Sequence, residues 1–223
     1  MKLDYEVVHA NRKTIGITVE RDRKVVVRVP RYTSEQAISE AIESKRFWIW
    51  QKLRDPHKYP DPAPHKEYVT GETFLYLGQH CALNLTKGES GVVQLVGKQF
   101  EMARADRHKG DVLFRSWYLA QAKDKLRPRI AGFATEMGVG YSRICVRDLK
   151  YRWGSCTQGG TLSFNWRIIQ APMIVVDYLI VHELAHILEP NHSPDFWNIV
   201  AVHVPSWMKS RGWLKQYGGR LEW

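Results

Sequence analysis

The sequence lacks long apolar runs, paired cysteines and biased tracts, and each absence excludes a class of protein. Its longest apolar stretch, residues 174–188, is interrupted by Asp177, His182, Glu183 and His186, so it is not the unbroken apolar segment of roughly 18 residues that a membrane-spanning helix needs. The three cysteines cannot form a closed set of disulfides, and none of them forms a C-x-x-C pair. We therefore expect no membrane span, no disulfide scaffold and no thiolate metal site.

The beginning of the chain also lacks the apolar core of a secretory signal, because no apolar run follows residues 1–6. The composition, 44% hydrophobic and 25% charged, is that of an ordinary folded protein. A chain of 223 residues is long enough for one large domain or two small ones. These features predict a cytoplasmic protein with reduced cysteines and no membrane contact.

Acidic residues are scarce in one segment, which is therefore strongly basic. Residues 107–152 contain eleven Lys and Arg but four Asp and Glu, a local charge of +7 in a chain of net charge +10. Such a block attracts phosphates or an acidic polypeptide, although a solvated helix face has the same pattern. No helix-turn-helix, zinc-finger or RNP signature is present. Nucleic acid is therefore a candidate partner without a recognised binding motif.

The first hundred residues have the pattern of a β-rich module. Two runs rich in β-branched residues, 14–19 and 24–29, are separated by a polar turn and predict a β-hairpin. Thr33 or Ser34 can cap one helix that extends to about Leu53.

A proline-rich segment and a series of short strands follow this helix. Four prolines within residues 55–64 predict a stiff extended linker. Residues 73–104 contain four short β-prone runs separated by turns. We therefore expect residues 1–105 to form a β-rich N-terminal module with one helix, and residues 106–223 to form a second domain.

The second half alternates helical and strand patterns and predicts the α+β class. Residues 108–137 read as a helix that Pro128 is expected to kink or interrupt and that ends at Gly138. Residues 142–149 and 162–166 read as strands. One further helix near the C-terminus is expected to close the core.

An H-E-x-x-H motif is the strongest chemical signal in the sequence. Pro172 can begin a helix whose apolar residues flank His182-Glu183-Leu184-Ala185-His186. Residues four apart lie on one helix face, so both imidazoles can bind one ion. Glu183 lies about 100° around the helix from His182, where its carboxylate can reach a water at the ion.

A third ligand is expected just beyond this helix. Pro190 ends the helix, and a turn can then bring His192 back toward His186. Three protein ligands with one open position are typical of a catalytic zinc ion. His203 and Glu189 compete for the third position; Glu189 can alternatively accept a hydrogen bond from an imidazole or be a surface acid.

These residues predict a zinc-dependent peptidase acting on polypeptides. Zinc lowers the pKa of a water molecule and polarises the scissile carbonyl, while Glu183 removes the proton and returns it to the leaving amine. An extended peptide is expected to pair with an edge strand, for which residues 162–166 are the candidate. The transition-state stabiliser is undecided among four residues: Tyr141, Tyr151, Arg152 and His203.

Five segments carry a resemblance to a known family: residues 27–30, 151–156, 164–167, 182–186 and 189–197. In these segments the chain resembles the YgjP-like zinc metallopeptidases, which are zincins related to the SprT-like proteases. The resemblance implies a zincin-like domain with a flanking β-rich module and a cleft bordered by residues 152–156. It also implies the zinc ligands His182, His186 and His192 and the general base Glu183.

Other functions are open at this point. A SprT-like, DNA-associated protease that cleaves nucleic-acid-bound proteins is favoured by the basic segment 107–152. A non-catalytic module would keep zinc for stability alone. Cys156 as a nucleophile has no recognised local signature. Trp153 and Trp166 either line a substrate groove or pack in the core, and neither the physiological substrate nor the oligomeric state follows from the sequence.

Overall fold

The structure is a computed structural model that describes residues 3–20, 23–54, 66–149 and 152–221. The strands in these ranges are β1 (Tyr5–Ala10), β2 (Gly16–Val19), β3 (Val25–Pro30), β4 (Thr73–Tyr76), β5 (Gln79–Thr86), β6 (Val93–Val96), β7 (Gln99–Ala103), β8 (Arg143–Arg147), β9 (Gly154–Cys156) and β10 (Thr161–Asn165). The α-helices are α1 (Glu35–Ser44), α2 (Arg46–Leu53), α3 (Gly110–Met137), α4 (Met173–Leu188), α5 (Pro194–His203) and α6 (Trp207–Tyr217). This mixture confirms the predicted α+β class.

The chain divides into two compact units. One contains residues 1–63 with 215–220, and the other contains residues 64–214 with 221–223. The strands β4 to β7 therefore belong to the larger unit, together with the H-E-x-x-H segment. The domain boundary expected between residues 105 and 106 lies inside that unit and stays a prediction. The predicted proline-rich linker, residues 55–64, lies entirely outside the described ranges.

The smaller unit is built on a three-stranded sheet in the order β1-β3-β2. The predicted hairpin is present as the antiparallel pair β2 and β3. The parallel pairing of β1 with β3 was not predicted. Ser34 caps α1 as expected, its hydroxyl accepting a hydrogen bond from the Ala37 N–H at 3.3 Å. The single helix predicted to reach Leu53 breaks at Lys45 into α1 and α2.

The larger unit contains a four-stranded sheet in the order β4-β5-β7-β6, which confirms the four predicted strands. The 28-residue α3 buries every fourth residue from Gly110 to Ala134, a spacing close to the helical repeat of 3.6 residues. It continues past Pro128, because Leu126 and Ile130 on either side are fully buried and hold the helix in place. Gly138 ends it in a left-handed conformation with φ 67°, as predicted.

The second sheet of this unit places β10 between β8 and β9. The parallel partner of β10 is β8, and its antiparallel partner is β9. The expectation that residues 162–166 form an edge strand for a peptide was therefore wrong, because both sides of β10 are already hydrogen-bonded. Among the described strands of this sheet, β9 is the one at an edge beside α4.

Helix α4 is apolar on most of its surface and carries the H-E-x-x-H segment through the core. After a short loop, Ser193 caps α5, accepting a hydrogen bond from the Phe196 N–H at 3.3 Å, and Pro194 occupies the first turn. Within the ranges described, no helix is long and apolar enough to cross a membrane.

Candidate metal centre

Three histidines converge at the end of α4 and in the loop that follows it. His182 and His186 lie one turn apart on α4, and His192 returns from the α4–α5 loop. Each offers one nitrogen, and these three atoms lie within 4.8 Å of one another. The Nε2 atoms of His182 and His192 are 3.1 Å apart. The structure thus brings together the three residues that the spacing pointed to, and such a cluster can hold a metal ion.

Burial keeps two of these imidazoles in the neutral form that metal binding requires. Burial, with smaller contributions from the other two histidines, lowers the pKa of His182 to about 3. Burial also lowers the pKa of His186. The Nδ1 atom of His186 lies 3.3 Å from the Glu189 carbonyl oxygen, which leaves Nε2 for a metal. The acceptor is the backbone of Glu189; its carboxylate instead accepts a hydrogen bond from the Asn191 N–H.

Aromatic rings surround the histidines and fix their orientation. Phe196 is fully buried, with its ring centroid 4.6 to 4.9 Å from those of all three imidazoles. Trp197 stacks on His192 with ring centroids 5.6 Å apart, and Trp207 stacks on Trp197 at 4.4 Å. Because His192 is on an exposed loop, this stack supplies the support that a helix gives to His182. No role was predicted for these rings, although residues 196 and 197 fall within the resembling segment.

Glu183 lies deeper than the histidines and faces β9. It is 4% exposed, and this burial raises the pKa of its carboxyl to about 8, against the opposing effects of the Arg152 charge and a hydrogen bond from the Cys156 N–H. A Cβ atom at Gly154 would lie 2.4 Å from Glu183 Oε1. The carboxyl group therefore lies directly against the backbone of β9. Neither this contact nor the donor could be predicted from the spacing of residues.

A cavity of about 980 Å³ opens in front of Glu183 and the histidines. Residues 140–142 and 154–160 line it, and Ile187, Pro190 and His192 complete the lining. The predicted border at 152–156 is thus present at the β9 residues. The hydroxyl of Ser142 donates to the Gly159 carbonyl at 2.7 Å and ties the two loops together.

Three of the four candidate transition-state stabilisers lie within the described residues. Tyr141 lines the cavity, and Arg152 is close enough to lower the pKa of Glu183. Tyr151 lies outside the described residues. His203 is not in the histidine cluster, because its Nδ1 atom pairs with Glu136 Oε1 at 2.7 Å.

The other sulfur and indole candidates have ordinary surroundings. Cys81, Cys145 and Cys156 are all free thiols in this structure. Burial and the nearby Glu183 raise the pKa of the Cys156 thiol, which opposes a nucleophilic role. Trp166 is buried in the main core.

Part of the basic segment is neutralised within the fold. Arg129 forms a two-pronged pair with Asp177 on α4, and Arg115 pairs with Asp148 at 3.3 Å. Lys125 pairs with its neighbour Asp124 at 3.1 Å. Asp124 and Asp148 are already counted in the local charge of +7, so of these three pairs only the one with Asp177 lowers that charge further.

Comparison with known proteins places this arrangement in a family. A solved structure, the crystal structure of the metallopeptidase zymogen of Pyrococcus abyssi abylysin, is similar over 40% of this chain and 93% of its own, with 19% identity and a TM-score of 0.35. No curated protein is significantly similar to the chain. The YgjP-like metallopeptidase domain matches residues 13–217, which is nearly the whole sequence. The chain belongs to the YgjP-like metallopeptidase family.

Proposed function

We propose that the chain is a zinc-dependent peptidase in which His182, His186 and His192 hold the ion and Glu183 is the general base. The observation that carries the proposal is the convergence of three imidazole nitrogens within 4.8 Å beside a buried carboxyl group and an open cavity. Family membership supports a metal-dependent peptidase. The choice of zinc and the role of each residue are the proposal.

The donor set fits zinc. Two nitrogens bound at 2.0–2.1 Å to a tetrahedral ion lie about 3.4 Å apart, and the Nε2 atoms of His182 and His192 are 3.1 Å apart. Neutral imidazoles are common zinc ligands, whereas magnesium and calcium prefer oxygen. Three protein ligands would leave one position of a tetrahedral zinc ion for solvent.

The chemistry divides between the ion and the chain. A bound zinc ion supplies a Lewis acid that polarises a carbonyl and lowers the pKa of water to about 7. Glu183, in the carboxylate form that the charge of a bound zinc ion would favour, accepts a proton from the attacking water through one of its oxygens. It then gives that proton to the leaving amine nitrogen as the peptide C–N bond breaks. Burial of Glu183 excludes bulk solvent from this transfer.

An extended peptide is proposed to lie along β9. This strand is at the edge of its sheet and lines the cavity, so the outward backbone groups that Glu183 does not occupy are available to a polypeptide. Backbone pairing of this kind gives affinity with little dependence on sequence. The free cysteines support action in a reducing compartment such as the cytoplasm.

The test compares the wild type with Glu183→Gln. The variant should retain one zinc per chain, because the three histidines are unchanged, and should cleave a quenched random-peptide library roughly 10²–10⁴-fold more slowly. Cleavage at the wild-type rate by the variant would contradict the assigned base. Zinc binding without cleavage by the wild type would favour the non-catalytic module instead.

A DNA-associated activity is a separate proposal, supported by the charge of +7 on residues 107–152. Single-stranded DNA should then stimulate proteolysis at low salt and lose this effect as salt rises. Indifference to DNA at low salt would remove the proposal without affecting the peptidase assignment.

A further inference from the structure

The strand β9 meets Glu183 through two features of its backbone. One is an exceptionally close approach at Gly154, and the other is the hydrogen bond from the Cys156 N–H. Both lie on the same three-residue strand, which also lines the cavity. The pairing of β9 with β10 and the missing side chain of Gly154 together explain both features.

The ladder between β9 and β10 decides which way the backbone groups of β9 point. The Asn165 N–H donates to the Trp153 carbonyl at 2.7 Å, and the Thr157 N–H donates to the Thr161 carbonyl at 3.0 Å. Opposed residues of an antiparallel pair alternate between hydrogen-bonded and non-hydrogen-bonded positions. Gly154 and Cys156 occupy the alternate positions, so their N–H and C=O groups turn away from β10.

This outward direction explains the donor to Glu183. The Cys156 N–H has no hydrogen-bond acceptor in β10, and the carboxyl group of Glu183 accepts a hydrogen bond from it. A backbone donor of this kind has little freedom of its own, since its position is set by the strand. It therefore fixes one carboxyl oxygen of a residue whose side chain has three rotatable bonds.

The space for that carboxyl group exists because residue 154 has no side chain. A Cβ there would lie 2.4 Å from Oε1, 2.7 Å from Cδ and 2.8 Å from Cγ of Glu183. Real Cβ atoms do not approach other atoms so closely, and three successive atoms of the side chain would be displaced together. Gly154 is also not in a left-handed conformation, so the requirement for glycine comes from this contact and not from the backbone.

We infer that Gly154 is a positioning residue: its missing side chain and the outward Cys156 N–H together hold the Glu183 carboxyl group in the orientation that proton transfer requires. The inference rests on the proposed role of Glu183 as general base. It adds to that role, because the position of the Glu183 carboxyl group is then set by β9 as well as by α4.

The first experiment measures catalysis and metal binding for Gly154→Ala. The variant should lose about 10²-fold in kcat on the random-peptide library, as expected when a reacting group is misplaced by an ångström. KM and the dissociation constant for zinc should stay within about twofold, because the contacts that set them are unchanged. Gly132→Ala is the matched control, since a Cβ at that helical position meets nothing within 4 Å; it should leave all three values unchanged.

The second experiment needs no activity and uses the metal-free protein. Gly154→Ala should lower the melting temperature by roughly 5 °C through overpacking. In a Glu183→Ala background the same substitution should lower it much less, because the obstructing side chain is gone. An equal fall in melting temperature in both backgrounds would show that Glu183 is not what excludes a side chain at residue 154. Failure of Gly154→Ala to fold in both backgrounds would show the same.

The two experiments distinguish failure of the Gly154 positioning role from failure of the proposed peptidase function. Loss of cleavage in Glu183→Gln together with full kcat in Gly154→Ala would overturn the positioning role and leave the peptidase assignment intact. Wild-type cleavage by Glu183→Gln would overturn the base itself, and the positioning role with it.

Discussion

Two three-stranded sheets in this chain share one topology and differ in what their edge strands face. In both β1-β3-β2 and β8-β10-β9, the last strand in sequence lies in the middle, parallel to the first and antiparallel to the second. The first sheet packs aliphatic residues of its strands against α1 and α2. The second has the edge strand Gly-Ser-Cys beside the histidines and Glu183.

The difference teaches that the backbone arrangement does not decide the chemistry. Val19 on the edge strand β2 is 6% exposed and adds to a core, whereas the residues of β9 are half-buried and small. Small residues at that edge leave space for a carboxyl group and a cavity. Two sheets of the same topology can therefore differ in chemistry because different side chains occupy their equivalent positions. Four substitutions test whether the residues that stabilise the fold are separate from those that form the metal centre.

The largest effect is expected for His186→Ala in the metal centre. Loss of one of three ligands should weaken zinc binding on the order of 10³-fold and abolish cleavage. The control is His203→Ala, because His203 pairs with Glu136 outside the cluster. Competition with a chromophoric chelator measures both affinities, and equal affinities for the two variants would contradict the ligand assignment.

A second large effect, on stability alone, is expected for Ile49→Ala in the first sheet's core. Ile49 is fully buried on α2, so the substitution should cost about 2–5 kcal/mol of unfolding free energy. Zinc affinity of the folded protein should not change. Urea denaturation and zinc titration give the two values, and a parallel fall in zinc affinity would show that the two regions are coupled.

A smaller effect is expected for Trp197→Ala, which removes the ring stacked on His192. Zinc affinity should fall roughly 10–100-fold, the usual cost of losing a residue that orients a ligand. Trp50→Ala is the control, since Trp50 is exposed on α2. If both variants bound zinc like the wild type, the aromatic stack would have no part in holding His192.

The smallest effect concerns Asp106, which is buried away from the metal centre. Hydrogen bonds from the Gly91 N–H and the Ser90 hydroxyl lower the pKa of its carboxyl group. A lowered folded pKa contributes stability above the unfolded pKa of about 3.9, and this stability is lost as the pH falls through the folded pKa. Asp106→Asn should therefore be less stable than the wild type at pH 7, with a gap that narrows below about pH 4. Urea midpoints of the metal-free proteins at several pH values check this, and a constant gap would contradict it.

Much of the fold was predictable because local patterns determine it. The hairpin of β2 and β3, the Ser34 cap, the end of α3 at Gly138 and the start of α5 at Pro194 all follow from residues within one turn of each feature. The convergence of His192 with the helical histidines also followed from short spacing.

What could not be predicted depends on residues far apart in sequence. The parallel pairings of β1 with β3 and of β8 with β10 join strands with another strand between them. The central position of β10 follows from that pairing, which is why the edge strand was misassigned. The contact of Gly154 with Glu183 has no signal in the sequence, because it depends on how β9 packs against α4.

The central claim is that one zinc ion is held by three imidazoles with Glu183 next to it and not bound to it. Anomalous diffraction at the zinc edge, from crystals of the Glu183→Gln variant grown with equimolar zinc, tests this directly. We predict a single peak bonded to His182, His186 and His192, with the amide that replaces the Glu183 carboxyl group outside bonding distance. A peak elsewhere, or His192 turned away from the other two histidines, would contradict the account.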